Sequence, residues 1–121
     1  MSYVDGFVVP VPKKKLATYK ALARKCAKIW REHGALDYKE CIADDVSWGK
    51  RTSFPRSVKM NQKTETVVFS YIVYKSRKHR DAVMKKVMSD PRLKAMEDPK
   101  NHPFDAKRMI WGGFKVFVDM K

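Results

Sequence analysis

The chain is poor in cysteine and glycine and short of acid. Two cysteines in 121 residues, Cys26 and Cys41, are too few for a disulfide framework, so the sequence predicts free thiols in a reducing, cytosolic setting. No apolar run approaches the ~18 residues of a membrane-spanning helix. The first apolar run is broken by Asp5 and Gly6 and does not read as a secretion signal. These absences predict a cytoplasmic protein with no membrane partner. Also missing are the G-x-S-x-G, H-E-x-x-H, P-loop and dinucleotide fingerprints, and with them the commonest warrants for naming a reaction. The five glycines include one adjacent pair, Gly112-Gly113, which lacks the spacing to cradle a phosphate.

Acid is outnumbered by base, with 13 Asp and Glu against 27 Lys and Arg, a formal charge of +14. That balance raises solubility and attracts polyanions, but is silent on fold. At 44% hydrophobic residues the chain can bury a core, though a small one, and its length suits one domain over residues 1–121.

Periodicity orders the elements. Tyr3 to Val11 reads as a strand ended by Pro10 and Pro12. From Lys13 to His33 the apolar residues Leu16, Tyr19, Ala23, Cys26, Ala27 and Trp30 recur at helical spacing. Gly34 is placed to close that helix in a left-handed conformation. Ala35–Ile42 reads as a strand, 44–52 as a loop, and Phe54–Met60 as an extended, irregular piece because of Pro55. Thr64–Tyr74 is the strongest strand. Ser76 caps a helix striped by Val83, Met84, Val87 and Met88, which Asp90-Pro91 breaks. A helical turn through Leu93 and Met96 precedes a last strand from about Lys107 to Val118, where the glycine pair implies a bulge or a close approach.

The order β-α-β-β-α-β predicts an α+β fold of ferredoxin-like type, an antiparallel sheet with two helices on one face. Both faces of the strands are apolar. In the strongest strand one face carries Val68, Ser70, Ile72 and Tyr74, and the other Val67, Phe69, Tyr71 and Val73. Two helices cover one face only. The second is covered either by another copy of the sheet, in a two-fold homodimer that buries Phe69 and Tyr71, or by loop residues 44–60 of the same chain.

A resemblance supports this architecture. Residues Tyr3–Pro10, Glu40-Cys41 with Asp45-Val46 and Gly49-Lys50, Glu65–Ser70, Asp90-Pro91-Arg92, and Pro103-Phe104-Asp105 followed by Lys107–Ile110 and Gly112–Phe114 resemble the YbaA-like family, bacterial proteins of unknown function. The likeness runs in order along almost the whole chain. It implies a dimeric α/β-barrel, related in shape to small-molecule monooxygenases, and carries over no catalytic residue. The chain departs from the family pattern at His102, where Met is usual, and at Ala106, where Gly is usual.

The candidate chemistry is sparse. Asp44 and Asp45 start a turn rather than form a carboxylate pair. His33, His79 and His102 fall in separate elements with no close-spaced ligand pair, so no metal and no cofactor are predicted. Cys26 lies on an apolar stripe and reads as packing, while Cys41, on the second strand, is placed to face the barrel interior and would be reactive only with a lowered pKa. The ligand-pocket candidates are Tyr71, His102, Asp105, Arg108 and Trp111, an aromatic wall with an ion pair or an anion-binding guanidinium. An ordinary core with one satisfied Arg–Asp pair is the preferred reading of the same residues, because aromatics at strand spacing favour burial.

Three functions follow as expectations. The first is a dimeric small-molecule binding or sensing module. The second is a cofactor-independent enzyme, monooxygenase- or isomerase-like, using a pocket beside the sheet with Tyr71, His102 or Asp105 as acid or base. The third is weak, nonspecific association with nucleic acid through the basic helix faces.

Overall fold

β-branched and aromatic residues alternate along two long segments, and these pair. In the computed structural model, which describes residues 2–96 and 102–121, β1 (Tyr3–Pro12) runs antiparallel to β3 (Glu65–Tyr74), from Tyr3 opposite Tyr74 to Pro12 opposite Glu65. β2 (Asp37–Ile42) flanks β3 and β4 (Ile110–Lys115) flanks β1, both antiparallel. The result is an α+β fold on an open four-stranded sheet of order β2-β3-β1-β4.

Pro10 does not end β1, which runs on to Pro12. The N–H groups that β1 directs at β3 belong to its odd-numbered residues, and Lys13 continues that set by donating to Thr64. The even-numbered residues face β4, whose pairing stops at Val8 opposite Ile110. The prolines therefore sit where no donor is required.

A 3₁₀ turn, Lys13–Lys15, leads into α1 (Leu16–Glu32). Gly34 follows at φ 116°, a conformation that side-chain-bearing residues rarely adopt, and its N–H with those of His33 and Ala35 satisfies the last carbonyls of α1. α3 (Arg77–Met88) is capped by Ser76, whose hydroxyl accepts from the His79 N–H at 3.1 Å. α4 (Pro91–Ala95) is capped by Asp90, which accepts from Arg92. Asp90 also binds His33 at 2.8 Å and Arg92, which reaches Glu32 at 2.7 Å, so the end of α1 is tied to the start of α4.

Two elements differ from the sequence reading. Phe54–Met60 is not extended: Phe54–Ser57 forms the one-turn helix α2, with Ser53 accepting from the Arg56 N–H. Pro55 lies in its first turn, where a missing N–H is harmless. The last strand is also shorter than expected. Asp105 accepts from Lys107 and winds Ala106–Arg108 into a 3₁₀ turn before β4, and beyond Lys115 only Val116 finds β-type support, donating to Ser2. The glycine pair makes no bulge, since Gly112 and Gly113 stay in register opposite Gly6 and Asp5. It is a close approach: a Cβ on Gly113 would collide with the Tyr3 hydroxyl.

The register sorts the two faces as the alternation predicts. Tyr3, Ile72 and Tyr74 pack with Ile29 of α1 and with Val83 and Val87 of α3. Val9, Val11 and Val68 pack with Tyr19 of α1. Both long helices thus cover one face. On the other face Val8 and Val67 pack with Val58, Ala43 and Met60, so the segment after β2 covers one end of it. Phe69, Ile110 and Phe114 remain exposed there.

Candidate functional site

The helix-covered face carries its polar groups in two places. The first is built on β2, where Tyr38, Glu40 and Ile42 share the inward side opposite Ile72, Ser70 and Val68. Glu40 is an acid at an inward position between two apolar residues. α1 crosses above it and presents Tyr19 from its buried stripe. The two phenols clasp the carboxylate. Tyr19 donates to one Glu40 oxygen at 2.6 Å, and Tyr38 donates to the other at 2.8 Å. Burial first, and the Glu40 charge second, push both phenols far above their ordinary pKa, so each holds its proton. Cys26, two helical turns beyond Tyr19 on the same side, is pushed up to about 11 by burial and by Glu40, and is a poor nucleophile.

Cavities flank this cluster on both sides of α1. The outer one, about 300 Å³, lies between α1 and β2, with Leu16, Ala23, Ala27, Ile42 and Val68 as apolar walls. Lys20 and Arg24 stand on its helix side, exposed. The inner one, about 170 Å³, runs over β1 and β3 past Trp30, Phe104 and Met109. Tyr19, Ala23, Tyr38 and Glu40 line both.

The second polar place is the Asp5–Arg80 ion pair, 2.8 Å long and almost wholly buried, with the guanidinium over the Tyr3 ring at 5.2 Å. Burial raises the Asp5 pKa against the pull of Arg80. The pair floors a groove of about 560 Å³ between α3 and β4, walled by Met84, Met88, Met109 and Trp111. Phe7, Trp30 and Met109 border both this groove and the inner cavity.

The five residues singled out by sequence are spread more widely. Asp105 and Arg108 meet at 2.9 Å, and Arg108 gives three further donors to the Glu65 carboxylate and the Lys59 carbonyl, so its guanidinium clamps the turn to β3. His102 lies against Phe104 with centroids 4.3 Å apart, and Phe104 meets Tyr19 edge-on. Trp111 stacks on its cross-strand neighbour Phe7. Tyr71 stands on the opposite sheet face, beside Phe69. Tyr19, Tyr38 and Glu40 were not singled out, although the inward acid on an alternating strand was their signal.

Residues 2–106 match a family described as "Protein of unknown function (DUF1428)". The chain is also 50% identical to the uncharacterized protein YbaA of Escherichia coli strain K12 over 119 residues, 98% of this chain and 99% of that protein. The chain belongs to the DUF1428, or YbaA-like, family. The uncharacterized YbaA of Shigella flexneri matches over the same share at the same identity. Among solved structures the de novo designed protein Foldit4 superposes with a TM-score of 0.47 and 7% identity, covering 96% of this chain and 99% of its own. For this YbaA-like chain, no helix among the described residues is long and apolar enough to cross a membrane.

Proposed function

We propose that this YbaA-like protein is a cytoplasmic small-molecule binding module, working as a homodimer, with its ligand site in the cleft between α1 and the sheet. The observation that carries the reading is Glu40. A carboxylate clasped by two phenols, at the junction of two apolar cavities, is a polar handle in an otherwise greasy cleft, the usual build of a ligand site. Binding is favoured over covalent catalysis because the nearby Cys26 thiol and both phenols are driven toward their protonated, less reactive forms. The free cysteines suit a reducing compartment.

The strand order, with both long helices on one face, supports a ferredoxin-like domain, and the uncovered face supports pairing into a dimeric α/β-barrel. Around Val4, Phe69, Tyr71, Ile110 and Phe114 that face offers a continuous apolar surface, with the Lys39–Asp37 ion pair of β2 at its margin beside Tyr71, in a chain of which 33% is charged. A second copy brings the same patch and satisfies both at once.

The test is a thermal-shift screen of a small-molecule collection on the wild type and on Ala23→Trp, which fills the cleft from the wall shared by both cavities. Compounds that stabilise the first and not the second support the reading. A screen in which no compound stabilises the wild type, or in which every hit survives Ala23→Trp, overturns it.

One observation favours a second reading, association with nucleic acid. The acids of the helix layer are already engaged, Glu32 with Arg92 and Asp81 with Arg80, whereas Lys20, Arg24, Lys28, Lys85 and Lys86 have no carboxylate partner among the described residues. Such a surface holds phosphates without reading bases.

A further inference from the structure

The outer cavity is electrically two-ended. At its inner side Glu40 has no cationic partner among the described residues, and its charge is held only by two phenol hydrogen bonds. A carboxylate offers about four lone-pair positions, so roughly two remain open to a donor from the cavity. On the helix side Lys20 and Arg24, one turn apart and exposed, carry two positive charges that no described acid neutralises. Between the two ends the walls are aliphatic, from Leu16, Ala23, Ala27, Ile42 and Val68.

We infer that the ligand of this cleft is a hydroxylated amphipathic acid: a small molecule with an anionic head, an apolar or aromatic body, and a hydroxyl at the far end. The inference rests on the cleft being a ligand site. The head meets Lys20 and Arg24 at the rim, where an anion keeps part of its hydration. The body lies against the apolar walls. The hydroxyl donates to Glu40, a charge-assisted hydrogen bond made out of bulk water. A ligand with the opposite polarity would set an ammonium against the rim cations, and a ligand without the hydroxyl would leave the spare Glu40 lone pairs desolvated and unmatched.

The experiment compares three probes by calorimetry on the full chain: para-hydroxyphenylacetate, phenylacetate and tyramine. The first has both polar ends, the second lacks the hydroxyl, and the third replaces the acid with an amine. The expected order places para-hydroxyphenylacetate about tenfold tighter than phenylacetate, the worth of a hydrogen bond to a charged group. It also binds about three- to tenfold tighter than tyramine, the worth of partly exposed charges. In Lys20→Ala/Arg24→Ala, whose altered positions are on the helix surface and leave the fold intact, the advantage over tyramine vanishes while the advantage over phenylacetate stays. Tyramine binding as tightly as the hydroxy acid, phenylacetate binding as tightly as the hydroxy acid, or a preference untouched by the double substitution overturns the ligand class. The same holds if none of the probes binds while other compounds still stabilise the wild type in an Ala23→Trp-sensitive way, and the cleft reading then stands. Probe binding that survives Ala23→Trp places the compound elsewhere and overturns the assignment.

Discussion

Arg108 closes on Glu65 with two parallel hydrogen bonds, at 2.8 and 2.7 Å, and so pins the turn before β4 to the first residue of β3. The carboxylate is buried and the guanidinium only 28% exposed. Arg108→Ala leaves a buried acid without its partner and is expected to destabilise the fold by about 2 kcal/mol, less than a fully buried pair because water reaches part of the arginine. Arg108, helped by the Asn61 N–H, holds the Glu65 carboxyl below its ordinary value of 4.5, against the opposing effect of burial. A depressed acid stabilises the fold above its unfolded pKa, and that stability is lost as the pH falls through the folded one. Urea midpoints of the wild type should therefore drop as the pH is lowered below about 4.5. In Arg108→Ala this part of the acid sensitivity should be gone. An unchanged pH profile would count against the assignment.

Gly113 and Tyr3 are matched across the β1–β4 seam. Gly113→Ala puts a methyl group 2.8 Å from two ring carbons of a tyrosine that is itself buried, and should cost about 1–3 kcal/mol of stability. Combining it with Tyr3→Val removes the obstacle. Chemical denaturation of the four proteins in the cycle should give a double variant more stable than the sum of the single losses predicts. Strict additivity would contradict the contact.

The two thiols should separate kinetically. Cys41 is exposed, whereas Cys26 is half-buried with its pKa pushed up to about 11. Iodoacetamide at about pH 8, near the ordinary cysteine pKa, should label Cys41 well before Cys26, read by peptide mass spectrometry. Denaturant should erase the difference. Equal native rates would refute the packing assigned to Cys26.

For the homodimer, light scattering at micromolar concentration should report about twice the 14.1 kDa chain mass. Phe69→Glu or Tyr71→Glu places a charge in the apolar patch, and should yield monomers or aggregates without altering the helix-covered core. A monomeric wild type would remove the dimer and leave the Glu40 cleft untouched.

If the basic helix layer holds nucleic acid, binding to a short duplex should fall steeply between low and physiological salt and show no sequence preference, since phosphate neutralisation releases counterions and no base-reading element is evident. Anisotropy titrations at several salt concentrations check this. Salt-resistant or sequence-selective binding would contradict it.

Much of the fold is legible along the chain because periodicity is a local property. The alternation of Glu65–Tyr74 places Tyr74, Ile72 and Val68 on one face whatever lies beyond them, and Ser76 and Asp90 cap helices through bonds spanning two or three residues. Pro55 misled for a local reason too, since the same missing N–H suits an irregular strand and the first turn of a helix, and Ser53 decides between them. The candidate site was less legible. Arg108 and Asp105 are near in sequence and do meet, yet Glu65, 43 residues from Arg108, takes the other side of the guanidinium.

The sequence by itself determined the element order, the two-sided apolar character of the sheet, the closing role of Gly34 and the surplus of positive charge, since each depends on residue type and spacing alone. Only the tertiary structure decided which polar groups meet. Tyr19 and Glu40 stand 21 residues apart, and Asp5 and Arg80 stand 75 apart. The inward position of each acid calls for a donor, but nothing in the local sequence says which residue supplies it. They meet because α1 and α3 fold onto the same face of the sheet, and a buried charge must then take whatever donor that packing brings within reach.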